Sequence, residues 1–101
     1  LMLASLLPKN TATVIESNEK LGAKILVSGG GKCNITNTDM GTEYFLGDEN
    51  FVQPALKCFN EKALLLWLER QNLMPVLRKE KQYFCKDSEK YLKVLLLNLY
   101  K

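Results

Sequence analysis

The chain has no histidine among its 101 residues. That removes Ser-His and Cys-His nucleophile pairs within it, and also the commonest metal ligand. Cysteine is sparse. Cys33, Cys58 and Cys85 are odd in number and far apart, which argues against a disulfide framework and against a Cys-x-x-Cys zinc site. A reducing cytoplasm is the expected compartment. No apolar run reaches membrane-spanning length. The first seven residues have no charged stretch before their apolar ones, so they make a poor signal peptide. Excess charge is also lacking. The formal net charge is +3, and the basic residues are scattered among acidic ones. This gives no case for a nucleic-acid surface. The expected partner is a small-molecule substrate, with no nucleic acid and no membrane. What remains is 47% hydrophobic and 25% charged, a globular composition rather than a disordered one. The length suits one small domain with a modest core.

The richest feature is Ser28-Gly29-Gly30-Gly31-Lys32-Cys33-Asn34-Ile35-Thr36-Asn37. Glycine takes positive φ at little cost and lets a ligand approach the backbone. Successive N–H groups in such a turn can face a phosphate, and Lys32 adds a point charge. A flexible loop is the plain alternative, but three glycines followed by a cation and small polar residues favour an anion or cofactor loop. Gly29-x-Gly31 is not the dinucleotide fingerprint, because Asn34 stands where its last glycine is needed. It is not a Walker A loop either, because Cys33 replaces the Mg²⁺-binding hydroxyl and Leu26 replaces the first glycine.

Residues 1–7 read as the tail of a helix, ended by Pro8-Lys9-Asn10. The opening inside a helix suggests a truncated chain. Residues 11–15 are short and β-branched and read as a buried strand ending at Glu16. Residues 24–27 read as a second extended run, and 36–50 as irregular. Residues 51–59 read as a helix with Pro54 near its first turn. Asn60 is the expected N-cap of a helix over 61–72, with Leu64, Trp67, Leu68 and Gln71 on one face. Residues 76–78 and 82–85 suggest a hairpin around 79–81. Asp87 or Ser88 then caps a last helix carrying Leu92, Leu95, Leu96 and Leu99.

Glu16 follows a helix, a turn and a strand, the order found in the second half of a βαβ unit. There an acidic residue hydrogen-bonds the adenosine ribose. A solvated strand-end carboxylate is the alternative. A glycine turn ending just before Leu1 would put Glu16 at about the fingerprint's spacing of 20 residues. Cys33 beside Lys32 could be an activated thiol, but a small packing residue beside a ligand is the preferred reading.

From Glu16 to Asn37 the sequence resembles the BaiN-like FAD/NAD(P)-dependent oxidoreductases, also called aminoacetone-oxidase-family FAD-binding enzymes. Members carry a second-strand Glu, a Gly-x-Lys and a hydrophobic run. The signature Ser-Gly-Gly-Gly-[Arg/Lys]-Cys-Asn-x-[Thr/Ser]-Asn follows. Here these are Glu16, Gly22, Lys24, Ile25-Leu26-Val27, Ser28, Gly29, Gly30, Gly31, Lys32, Cys33, Asn34, Thr36 and Asn37. The likeness runs more loosely through Phe51, Ala55, Leu56 and Phe59 to Leu73. It departs at Phe84-Cys85, where a Phe-Pro pair is usual.

The resemblance implies an α/β fold, a partial Rossmann-type FAD-binding domain over residues 1–101 that lacks its first strand and glycine turn. It implies FAD, with NAD(P)H as a candidate donor. It places Glu16 on the adenosine ribose and the loop from Ser28 to Asn37 against the flavin nucleotide, with Lys24 among the cofactor-binding residues. The parent protein would be a flavoprotein oxidoreductase, its fragment alone inactive, with no catalytic residue assigned and no metal. Two other classes stay open: a phosphate-binding nucleotide hydrolase built on Gly31-Lys32, and a small interaction domain without a cofactor.

Overall fold

A computed structural model describes residues 1–99. The chain divides into two compact units. One is Leu1–Cys33 together with the segment that begins at Asp87, and the other is residues 34–86.

In the second unit the element ends are set by short-range hydrogen bonds. Helix α3, Glu49–Cys58, starts at Asp48, whose Oδ1 accepts the Asn50 N–H at 2.8 Å. This start is two residues earlier than the sequence suggested, and it places Pro54 sixth in the helix rather than in the first turn. A proline there leaves the Asn50 carbonyl without its usual i+4 donor.

Helix α4, Glu61–Arg70, is capped as expected by Asn60, whose Oδ1 accepts the Ala63 N–H at 2.9 Å. It stops two residues short of Asn72. Asn72 takes a left-handed φ of 56°. Its N–H donates to the Glu69 carbonyl, and the Leu73 N–H donates to that of Leu68. These two bonds form a Schellman stop, in which a hydrophobic pair also closes over the helix end. Leu68 and Leu73 are that pair, both buried, with Leu68 at 0% exposure.

The hairpin forms as β2, Val76–Arg78, against β3, Gln82–Phe84, with Leu77 opposite Tyr83. Lys79 and Glu80 in its loop both have positive φ. A third strand, β1 (Asn34–Asn37), pairs antiparallel with β3, giving the sheet order β1-β3-β2. The register slips between Asn34 and Thr36. Strand β1 was hidden in the sequence because three of its four residues are polar. Its pairing partner lies more than forty residues away, and that partner decides its structure.

In the first unit, helix α1 is Met2–Leu6, close to the expected 1–7. The expected strand over 11–15 does not form, and residues 11–16 are all exposed, Ile15 to 91%. A strand exists only when another backbone accepts and donates beside it. No described segment does so here. The expected extended run over 24–27 is instead helix α2, Ala23–Val27. With no neighbouring strand, its apolar residues satisfy their backbone groups within the segment.

Helix α5, Ser88–Leu99, is capped by Asp87, whose Oδ1 accepts the N–H groups of Glu89 at 2.9 Å and Lys90 at 3.2 Å. Leu92 and Leu95 are its buried face. Leu99 ends the helix, and its side chain lies outside the described residues. Helix α5 packs against α1 and α2. The whole is mixed α and β, with a small antiparallel sheet.

Candidate functional site

The glycine turn is built by what precedes and follows it. Gly22, at φ 69°, starts α2, and Ser28 ends it in an extended conformation. A 3-10 turn, Ser28–Gly31, comes next. Gly29, Gly30 and Gly31 have φ of 59°, 65° and 84°. Three successive left-handed residues are a conformation that side chains with a Cβ resist, so the run of glycine has a backbone cause. A Cβ added at Gly30 would meet nothing within 4 Å. The outer side of the turn is therefore open to a ligand.

The inner side of the turn is tied down. The Ser88 hydroxyl donates to the Gly31 carbonyl at 2.7 Å and accepts the Cys33 N–H at 3.1 Å. Ser88 is 4% exposed. The Lys32 N–H donates to the Gly29 carbonyl at 3.3 Å, while Lys32 itself is exposed.

Glu16 lies in an exposed loop rather than at a strand end. Its Oε1 accepts both the N–H of Asn18, at 2.9 Å, and the side-chain amide of Asn18. The Asn18 backbone bond, then the Asn18 side-chain bond, holds its carboxyl below the ordinary glutamate value, with smaller help from the N–H groups of Ser17 and Gly22. Burial opposes this weakly. Lys24 is exposed on α2.

Of the residues the sequence singled out, Ser28, Gly29, Gly30, Gly31, Lys32 and Cys33 share one turn of the first unit. Glu16 and Lys24 lie in the same unit. Asn34, Thr36 and Asn37 belong to β1 in the other unit, with Thr36 half-buried and both asparagines exposed. Cys33 is half-buried, Cys58 exposed and Cys85 buried. No metal-binding cluster of acidic or cysteine side chains occurs among the described residues. No helix among them is long and apolar enough to cross a membrane.

Sequence reasoning missed the part played by Ser88. It lies 57 residues from Gly31 and was read only as a possible helix cap. The one signal was redundancy: Asp87 and Ser88 compete for one cap position, and the residue not used there is available for another bond.

Residues 1–101 match the model of the HI0933-like protein Rossmann domain, and the chain belongs to that family. A curated relative, the "Ribosomal RNA dihydrouridine synthase" of Haemophilus influenzae, is 31% identical over 78 residues. Those residues are 76% of this chain and 20% of the relative, so the chain spans about a fifth of that protein's length.

Proposed function

We propose that this chain supplies part of the FAD site of a flavoprotein oxidoreductase. The HI0933-like Rossmann family is FAD-binding in general. The observation that carries the reading is the run of three left-handed glycines with an open outer side. That feature fits a nucleotide lying close along the backbone.

Lys32 would supply charge to a phosphate there. The charge is needed, because the turn follows the C-terminus of α2, and a helix C-terminus repels anions. Glu16 would accept from the adenosine ribose, and Cys33 would pack beside the ligand. Asn34, Thr36 and Asn37 would contribute polar side chains, and Lys24 a second charge. Bound FAD would supply two-electron hydride chemistry between a donor such as NAD(P)H and the substrate. The protein would act in the cytoplasm on a small molecule.

The relative's name favours a second reading of the substrate alone, a uridine in ribosomal RNA. In that reading the RNA would be gripped mainly by residues outside this chain, since the basic residues here are scattered among acidic ones. Dihydrouridine content in ribosomal RNA from cells lacking the protein distinguishes the two.

The cofactor reading is tested by Gly30→Val in the full-length protein. Valine at φ 65° is strained and would cover the open side of the turn. FAD content should fall roughly tenfold or more, a change of about 1.4 kcal/mol or above. Gly47→Val, at φ 137° and with equally open space, controls for backbone strain and should keep its flavin. Full flavin content in Gly30→Val would end the reading.

A further inference from the structure

We infer that Ser88 is the positioning residue of the glycine turn, and that one face of α5 fixes the turn's conformation and through it the affinity for a nucleotide. This rests on the cofactor reading above. Ser88 and Leu92 are four residues apart, on one face of α5. Each grips one end of the segment from Gly22 to Cys33.

At the far end, Leu92 fills the space where Gly22 has no side chain. A Cβ there would lie 2.3 Å from Leu92 Cδ1. At the near end, the Ser88 hydroxyl uses both its donor and its acceptor capacity on the turn, at the Gly31 carbonyl and the Cys33 N–H. These bonds bracket Lys32. They fix the direction in which the chain leaves the third glycine, and so where Lys32 begins.

Ser88 is not needed to cap α5, because Asp87 does that. Its burial at 4% exposure means that water cannot readily replace it when it is removed. Glycines impose no conformation of their own. A turn of three therefore needs an outside constraint to present one shape to a ligand, and the Ser88 hydroxyl is that constraint.

The test compares Ser88→Ala with Asp87→Ala in the full-length protein. The readouts are amide hydrogen exchange at Cys33 and retention of FAD on dilution. Asp87→Ala removes the cap of α5 and leaves the Ser88 hydroxyl in place. Ser88→Ala should raise exchange at Cys33 at least tenfold and lower FAD affinity severalfold. Asp87→Ala should lower thermal stability with little change in either readout.

Unchanged Cys33 exchange in Ser88→Ala overturns the inference. So does equal loss of FAD in both variants, which would mean that Ser88 acts only through helix stability. If Gly30→Val loses flavin while Ser88→Ala keeps it, the positioning role of Ser88 is wrong and the cofactor reading stands. If neither variant loses flavin, the cofactor reading falls and takes this inference with it. Should Ser88→Ala not fold, Ser88→Thr is compared with Ser88→Val, a pair alike in shape and different in the hydroxyl. Higher FAD retention by Thr supports the assignment, and equal retention overturns it.

Discussion

The two units of this chain obey different rules. In residues 34–86 most elements are closed by residues within five positions of their ends: Asp48 on Asn50, Asn60 on Ala63, Leu73 on Leu68. In the other unit the decisive contacts span long separations. Ser88 reaches back 57 residues to Gly31, and Leu92 fills the hollow at Gly22. Short-range rules are written in the local sequence. Long-range contacts are not, and the segments that depend on them are where a sequence reading goes astray.

The largest expected effect probes the first of these regions. Leu68 sits at 0% exposure beneath the Schellman stop. Leu68→Ala should cost about 2–5 kcal/mol, through lost transfer energy and the cavity left behind. Denaturant unfolding measures it. A cost under about 1 kcal/mol would show that this unit is held by its caps and sheet rather than by a core.

Next comes the unit built on distant contacts. Gly22→Ala must keep a left-handed φ of 69° and push a methyl group into Leu92. Overpacking typically costs 1–3 kcal/mol, and a left-handed alanine roughly 1–2 kcal/mol more. The double variant Gly22→Ala, Leu92→Ala gives the methyl room and should recover part of the loss as a coupling energy. Strict additivity of the two changes would break the pairing of α2 with α5.

A smaller change returns to local chemistry. Asn60→Ala removes the side-chain acceptor for the Ala63 N–H and should cost about 1 kcal/mol. Asn60→Asp should recover most of it, since both residues cap well. Equal stability of wild type and Asn60→Ala, measured by thermal melting, would mean that water replaces the cap.

These particulars show what was legible. The Asn60 cap, the hairpin at 76–84 and the start of α5 could be read, because each rests on a few adjacent residues with specific hydrogen-bonding capacity. The three glycines could be read as a turn, because few other residues accept that backbone. The strand over 11–15 and the extended run over 24–27 were misread. β-branched composition suits a pleated sheet but cannot supply the second strand. Strand β1 was missed for the converse reason: Ile35 and Thr36 suit a strand but are only two residues between asparagines that do not, and pairing with the distant β3 extends them into one. Ser88 was seen as a cap candidate, but its bonds to the turn are a tertiary fact.

The smallest effect concerns Glu16, where sequence and structure differ on setting but agree on charge. Its carboxylate accepts two bonds from Asn18 and titrates below the ordinary glutamate value. A carboxyl whose folded value is depressed stabilises the fold above its unfolded value and loses that contribution as pH falls through the folded value. The local turn at 16–18 should therefore be fully formed at neutral pH and loosen only in acid, below the ordinary glutamate value. Because the group is fully exposed, the change should be local, leaving unfolding of the rest of the chain almost untouched.

Carboxyl carbon chemical shifts followed by NMR across the acid range check this, with Asn18→Ala as the comparison. In wild type Glu16 should titrate below the ordinary glutamate value. In Asn18→Ala it should move only part of the way back toward the ordinary value, because the side-chain amide bond goes while the backbone N–H bond, the larger cause, stays. A titration point that ignores the loss of the Asn18 amide would mean that the side-chain bond contributes nothing and that the backbone N–H alone holds the carboxylate.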